Sequence, residues 1–222
     1  MFKKVIVSED FDSINIAVVQ ALKTLCIPNI QYAKYCDDTY LKIKKAQVEN
    51  EPFDLLITDL SYKEDHRINK LNSGEELIVA VKKAQPDIKV IVYSIEDKSF
   101  RIKSLFEDLA IDGYIMKGRN SIPELQKAIL ALYQGDEKII SSALSHVFKD
   151  KSLLEIESYD IELLKLLSRG LIQDEIALQF KIAGIAPNGS SSIEKRINKL
   201  KIYFKANNNV HLIAMAKDLG LV

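Results

Sequence analysis

The chain has 222 residues, 47% hydrophobic and 28% charged, with 8 Gly, 5 Pro and no Trp. This ordinary globular composition excludes disordered, collagen-like and coiled-coil proteins. Its 31 basic and 31 acidic residues cancel, so no whole-chain field announces nucleic acid and no acidic tail a scaffold. Apolar runs such as 88–95 fall short of the roughly 20 residues that span a bilayer. MFKKVIVSED carries two carboxylates within ten residues, where a signal peptide would continue its apolar core. No membrane partner is expected. Cys26 and Cys36 stand without a C-x-x-C or a nearby His, so reduced thiols and a cytoplasmic setting are expected, not a disulfide framework or a zinc site.

Along residues 1–135, short β-branched runs at 4–8, 29–33, 53–59, 88–94 and 113–116 alternate with helical patterns at 13–25, 38–48, 74–84, 98–109 and 121–133. Five strands alternating with five helices predict an α/β fold, a doubly wound five-stranded parallel sheet covered on both faces. VIV, LLI and VIVY are continuous apolar runs, as strands buried on both sides should be. Ser121, ahead of Pro123 and Glu124, reads as the cap of the fifth helix. Residues 136–156 read as a linker with one helical turn near 142–148. Residues 157–222 show only helical periodicity, at 158–168, 172–181, 191–205 and 210–219, which predicts a small all-α four-helix domain. Charge divides along with the rhythm. From 181 onward seven Lys and Arg face two acids, a net +5, which leaves −5 on the preceding 180 residues.

In doubly wound sheets ligands bind at the carboxyl ends of the strands. The first strand ends in Glu9 and Asp10, the third in Asp59 and the fourth in Ser94, while Lys117 follows the fifth. Singly these are commonplace: carboxylates that cap helices, a turn serine, a solvated lysine. Jointly, three carboxylates, a hydroxyl and an amine converge on one rim. Clustered carboxylates repel unless a cation compensates them, and all-oxygen ligation suits Mg²⁺. Asp59 could then attack a phosphoryl donor, with the metal, Lys117 and Ser94 sharing the phosphoryl oxygens.

The strings VIVSED, ITDL, VIVYS and GYIMK resemble the response-regulator receiver family over residues 1 to about 135. The resemblance implies a flavodoxin-like fold. It makes Asp59 the phosphoacceptor and metal ligand, Asp10 a direct ligand, Glu9 an indirect one, and the Ser61 carbonyl a further ligand. Ser94 would be the switch hydroxyl, Lys117 the family lysine, and Tyr114 the switch aromatic. A sensor histidine kinase or a small phosphodonor would supply the phosphoryl group. One departure is visible: the loop 61–73 is longer than usual and lacks the usual Pro. Its Lys63, Glu64, Asp65, His66 and Arg67 read as a solvated loop, and His66 is not assigned as a ligand.

LLSRGLIQDEIALQF, SSIEKRINKL and AMAKDLGLV resemble the LuxR/NarL-type helix-turn-helix domain, with Gly170 at a helix C-cap. Ser190, Ser191 and Ser192 can cap the second helix of the motif and donate to phosphate. Ile193, Ile197 and Leu200 would form its buried seam, which would turn Lys195, Arg196 and Lys199 outward to double-stranded DNA in the major groove. Glu194 replaces a usually basic residue and could accept from cytosine N4. The turn 183–190 is longer than the motif's tight turn, and Pro187 with Asn188-Gly189 marks a real loop. Asn207-Asn208-Asn209 would end the helix, and His211 reads as a packed or capping histidine.

The sequence therefore reads as a two-component response regulator: receiver 1–135, linker 136–156, DNA-binding domain 157–222. Phosphorylation would produce a homodimer, or release the helical domain, for binding paired half-sites, and the protein would turn over no external metabolite. The competing reading is a phosphorylation-gated protein-interaction module whose helical domain does not read DNA, motivated by Glu194 and the long turn. A hydrolase built around Asp59 is disfavoured, because Ser61 stands where a second carboxylate would be needed.

Overall fold

The computed structural model describes residues 1–63, 66, 69–145, 147 and 156–222. Residues 64, 65, 67 and 68 of the long loop and 146 and 148–155 of the linker lie outside the described residues. The chain divides into two compact units, one of residues 1–97 and 102–146 and one of 147–222 with 98–101.

The first unit alternates β1 (Lys4–Ser8), α1 (Asp12–Thr24), β2 (Asn29–Ala33), α2 (Cys36–Val48), β3 (Leu55–Thr58), α3 (Gly74–Ala84), β4 (Lys89–Ser94), α4 (Ser99–Asp108), β5 (Gly113–Met116) and α5 (Ser121–Gln134). The strands are parallel in the order β2-β1-β3-β4-β5-β6. Strand side chains alternate between faces. Val5, Val7, Leu55, Ile57, Ile91, Tyr93 and Ile115 pack with Val18 and Leu22 of α1 and Leu125, Ile129 and Leu132 of α5. Ile6, Leu56, Val90 and Val92 are equally buried, and alternation places them on the opposite face. The sheet thus carries apolar residues on both sides, as a parallel sheet with crossover helices requires.

Two expectations for the first unit need correction. The sheet has six strands, not five: Ile139–Ile140 forms β6, paired with Gly113 and Tyr114 of β5. Two residues are too few to register as a periodicity, so the first part of the expected linker belongs to the sheet. A 3₁₀ turn (Ser142–Leu144) follows. Ser121 is not the α5 cap. Asn120 holds that position, and the Ser121 hydroxyl instead meets Tyr93 Oη at 2.6 Å and donates to the Gly118 carbonyl at 2.8 Å.

The second unit contains α6 (Ser158–Ser168), α7 (Gln173–Ile182), α8 (Ser190–Tyr203) and α9 (Asn209–Asp218). Its core gathers Leu163, Leu164, Ile176, Phe180, Ile193, Ile197, Leu200, Leu212 and Ala216. Gly170 adopts φ +88° just past α6. There its N–H bonds the Leu167 carbonyl and the Leu171 N–H bonds that of Leu166, a Schellman ending that a left-handed glycine makes accessible. The asparagine triplet does not end α8. Asn208 caps α9 by accepting from the His211 N–H at 2.8 Å, while His211 Nδ1 accepts from the Asn207 N–H at 3.3 Å.

Candidate functional site

Strand order reverses between β1 and β3, and Ser8 is registered against Thr58. The next residues, Glu9 and Asp59, therefore leave adjacent strands at one level. Lys117 follows β5, with its N–H on the Ser94 carbonyl. Its Nζ bridges the two acids, 2.7 Å from Glu9 Oε2 and 2.6 Å from Asp59 Oδ2, and lies 5.5 Å above the Tyr93 ring. Glu9, Asp59 and Ser94 are all buried. Burial holds the Glu9 carboxyl above its ordinary range despite the Lys117 ammonium. Burial works against the ammonium too, but its hydrogen bonds to Asp59 and Glu9 prevail, so it stays charged above its usual range.

The remaining carboxylate oxygens define the mouth of the site. Asp59 Oδ1 accepts from the Leu60 N–H at 2.6 Å and more weakly from the Ser61 N–H at 3.5 Å. Glu9 Oε1 accepts from the Phe11 N–H and Asp10 Oδ2 from the Lys63 N–H, both at 3.1 Å. Among the described residues, Asp10 Oδ1 and Ser94 Oγ are buried with no hydrogen-bond partner. Leaving such atoms unpaired costs about 1–3 kcal/mol each, and a ligand on this rim would relieve both. One carboxylate oxygen from each of Glu9, Asp10 and Asp59 lies within 4.8 Å of the others. That all-oxygen donor set fits a divalent cation of the Mg²⁺ class.

Ser61 is exposed and pairs with Ser73 in an isolated antiparallel bridge; Ser73 caps α3. Tyr114 is fully buried, its hydroxyl donating to the Glu96 carbonyl at 2.7 Å. Two contributors escaped sequence reasoning. Tyr62 sends its hydroxyl beneath the rim to Ser8 and Thr58, and Gly74 lets the start of α3 approach the Asp59 backbone. A lone Tyr in a polar loop gave no signal. Gly74 stood at a helix start, where close approach is not readable from sequence.

In the second unit Ser191, Glu194, Lys195 and Lys199 are exposed on α8, and Ser192 is half-buried. Ile193, Ile197 and Leu200 are buried as the seam. Two side chains differ from expectation. Arg196 does not project outward: its guanidinium clasps both oxygens of Asp160 on α6, and Asp160 is fully enclosed. Ser190 does not cap α8, whose N-cap is Gly189; its hydroxyl is 2.6 Å from Asp174 Oδ1. The long turn is tied down as well, since the Tyr159 hydroxyl donates to the Pro187 carbonyl at 2.7 Å and the Asn188 amide to the Ile185 carbonyl at 3.1 Å. Asp160 also accepts from the Glu157 N–H at 3.0 Å, the place of an acid three residues after an N-cap. That spacing was the available signal for it.

No protein-family model matches the chain, and no curated protein matches it. Solved structures do share its fold over nearly its whole length. The RcsB response regulator of Salmonella typhimurium is 20% identical, with 97% of this chain and 99% of that one covered and a TM-score of 0.68. The two-component response regulator RcsB in complex with DNA is 20% identical, covering 98% of each chain, with a TM-score of 0.63. RcsB of Salmonella enterica serovar Typhimurium bound to a promoter in the presence of the phosphomimetic BeF3− is 19% identical, again over 98% of each chain, with a TM-score of 0.62. The chain therefore has the two-part fold of these regulators: a flavodoxin-like parallel sheet followed by a helix-turn-helix unit. Among the described residues no helix is long and apolar enough to cross a membrane.

Proposed function

We propose that this protein is a two-component response regulator, phosphorylated on Asp59 and acting as a DNA-binding transcription regulator in the cytoplasm. One observation carries the reading. The Lys117 ammonium joins Glu9 to Asp59 on the rim where, among the described residues, Asp10 Oδ1 and Ser94 Oγ are buried without partners. RcsB, whose fold the chain shares, has been seen on DNA and with BeF3−, which supports the same division of labour here.

In this reading Asp10, Asp59 and the Ser61 carbonyl would hold Mg²⁺ directly, and Glu9 would assist indirectly. When bound, the metal neutralises the carboxylates and withdraws charge from the phosphoryl oxygens. An Asp59 oxygen attacks the phosphorus of a histidine-kinase phosphohistidine or of a small acyl phosphate; the new O–P bond forms as the donor's bond to phosphorus breaks. Lys117, already held between the two acids, binds one phosphoryl oxygen, and the unpartnered Ser94 hydroxyl donates to another. Engagement of Ser94 on β4 and repacking of buried Tyr114 then shift a two-state equilibrium. Dimerisation brings two helical units to paired half-sites. The chain assists only its own phosphorylation and dephosphorylation, so it turns over no external substrate.

On α8, exposed Ser191, Glu194, Lys195 and Lys199 with half-buried Ser192 form the surface for DNA. The internal commitments of Arg196 and Ser190 favour the alternative, a phosphorylation-gated protein-interaction module, and the experiment separates the two. The protein is treated with Mg²⁺ and beryllofluoride and used to select fragments from sheared genomic DNA at near-physiological salt, with Asp59→Asn as control. Enrichment of a two-half-site sequence by treated wild type only is the expected result. Sequence-independent, salt-sensitive binding alone would overturn the DNA reading in favour of a protein partner.

A further inference from the structure

The loop 61–73 is the largest departure from the receiver pattern, and its first residues are fastened to the site. Tyr62 turns its ring inward and places its hydroxyl 2.9 Å from the Ser8 carbonyl, 2.7 Å from Ser8 Oγ and 2.9 Å from Thr58 Oγ1. Thr58 Oγ1 donates to the Asp59 carbonyl at 2.8 Å, and Thr39 Oγ1 of α2 donates to Ser8 Oγ at 2.8 Å. Ser8 and Thr58 are fully buried. They are also the last residues of β1 and β3, immediately before Glu9 and Asp59. One hydroxyl thus ties together the two strand ends that carry the acids.

The same side chain fixes what lies beside it in sequence. Ser61 stands between Asp59 and Tyr62. Its N–H leans on Asp59 Oδ1, and its backbone is bridged to Ser73 at the start of α3. On the other side the Lys63 N–H donates to Asp10 Oδ2, and Lys63 Nζ lies 4.4 Å above the Phe11 ring. Further along, the N–H groups of Lys70 and Leu71 bind the Asp37 carboxylate at 2.8 and 3.2 Å. With the Tyr62 hydroxyl anchored below, the Ser61 and Lys63 peptides have little freedom to move relative to Asp59 and Asp10.

We propose that Tyr62 is a positioning residue for cation binding at Glu9, Asp10 and Asp59, holding the strand ends and the Ser61 carbonyl in the arrangement that a divalent cation requires. The proposal rests on reading this rim as a cation and phosphoryl site. Cations such as Mg²⁺ demand near-ideal octahedral geometry, and a site a fraction of an ångström too loose loses affinity before it loses its ligands. Tyr62 would serve as a support and not as a ligand. It acts through Ser8, Thr58 and Ser61.

The test uses the full chain as wild type, Tyr62→Phe, Asp10→Asn and Val81→Ala, titrated with Mg²⁺ by calorimetry and labelled with acetyl phosphate across a range of Mg²⁺ concentrations. Phe keeps the ring and removes only the hydroxyl. Val81 is a buried α3 residue outside the site, so Val81→Ala lowers the melting temperature without touching the rim. The expected result is a Kd for Mg²⁺ raised about tenfold in Tyr62→Phe and unchanged in Val81→Ala. The half-saturating Mg²⁺ for labelling should rise in parallel, while the rate at saturating Mg²⁺ stays within about twofold of wild type. Equal Kd values for Tyr62→Phe and wild type, or a Val81→Ala shift as large as that of Tyr62→Phe, would overturn the proposal. Absence of label on wild-type Asp59 would instead sink the phosphoacceptor reading, leaving the calorimetric Kd values to decide the role of Tyr62.

Discussion

Arg196 on α8 and Asp160 on α6 meet as a two-pronged ion pair, both guanidinium edge nitrogens on the two carboxylate oxygens, with the acid fully enclosed. The pair joins the helix that would face DNA to the first helix of its unit. Charge in EKRINKLK therefore divides by exposure. Arg196 is spent inside the protein, and Lys195 and Lys199 remain available to phosphate.

Breaking this pair should destabilise the helical unit more than losing an outward-facing cation would. Among the described residues, Arg196→Ala leaves buried Asp160 with the Glu157 N–H as the one remaining partner of its side chain. The expected cost is about 3 kcal/mol, the low end for removing one member of a buried pair, because the arginine is partly exposed. Arg196→Lys should recover little of it, since an ammonium cannot reproduce the fork. Thermal unfolding by circular dichroism checks both variants. A loss below about 0.5 kcal/mol for Arg196→Ala would mean the pair is surface-like.

Lys195→Ala with Lys199→Ala should do the reverse, leaving the melting temperature nearly unchanged while weakening DNA binding. Each lost phosphate contact removes about one released counterion, so the slope of log K against log salt should become shallower by about two. Binding of labelled duplex at several salt concentrations reads the slope. An unchanged slope would place the DNA surface elsewhere.

Gly74→Ala tests the close approach behind Asp59. A Cβ at residue 74 would lie 1.9 Å from the Asp59 carbonyl oxygen, a backbone atom, so the start of α3 must move. Overpacking of this kind costs about 1–3 kcal/mol. It would also displace the Gly74 N–H that bonds the Leu60 carbonyl at 2.9 Å. A lowered urea midpoint together with weaker Mg²⁺ binding is expected. An unchanged midpoint would show that α3 yields freely.

Strand ends, helix spans and the five rim residues were legible because each rests on local pattern. VIV, LLI and VIVY mark buried strands by composition, and Glu9, Asp59, Ser94 and Lys117 follow from counting to where those strands stop. What was not legible depends on long-range partners. Arg196 looked like part of a solvated face until Asp160, 36 residues away, was placed against it. Tyr62 looked like loop until Ser8, 54 residues away, received its hydroxyl. β6 was missed because two isoleucines make no period, and their strand identity comes from the edge of β5.

Cys36 supplies a pH-dependent prediction. Burial pushes its thiol up to about 12 from an ordinary value of 9.0. The folded state thus keeps a proton that the unfolded chain releases. That stabilisation is complete below pH 9 and disappears as pH rises through about 12, at up to about 1.4 kcal/mol per pH unit. Comparing denaturant midpoints at pH 8 to 11.5, Cys36→Ala should show a flatter decline than wild type. At pH 8 a thiol reagent should modify exposed Cys26 and spare buried Cys36 until unfolding. Two thiols reacting at equal rates in the folded protein would contradict the burial of Cys36.

Lys117→Met should separate the two services of the ammonium. Without it Glu9 and Asp59 face each other as buried acids with no cation between them, which destabilises the unliganded protein. A divalent cation then has more to neutralise, so Mg²⁺ should bind more tightly than to wild type. Its stabilisation, which grows as RT ln(1 + [Mg²⁺]/Kd), should raise the melting temperature by a larger step. Labelling of Asp59 by acetyl phosphate should nonetheless fall about 10²-fold or more, because a fixed cation aimed at the transferring group is lost. Calorimetry, melting with and without Mg²⁺, and labelling rates check the three directions independently. Tighter metal with slower transfer is the signature of an ammonium that competes with the cation at rest and cooperates with it during transfer. Weaker metal together with slower transfer would mean that Lys117 only holds the carboxylates in place.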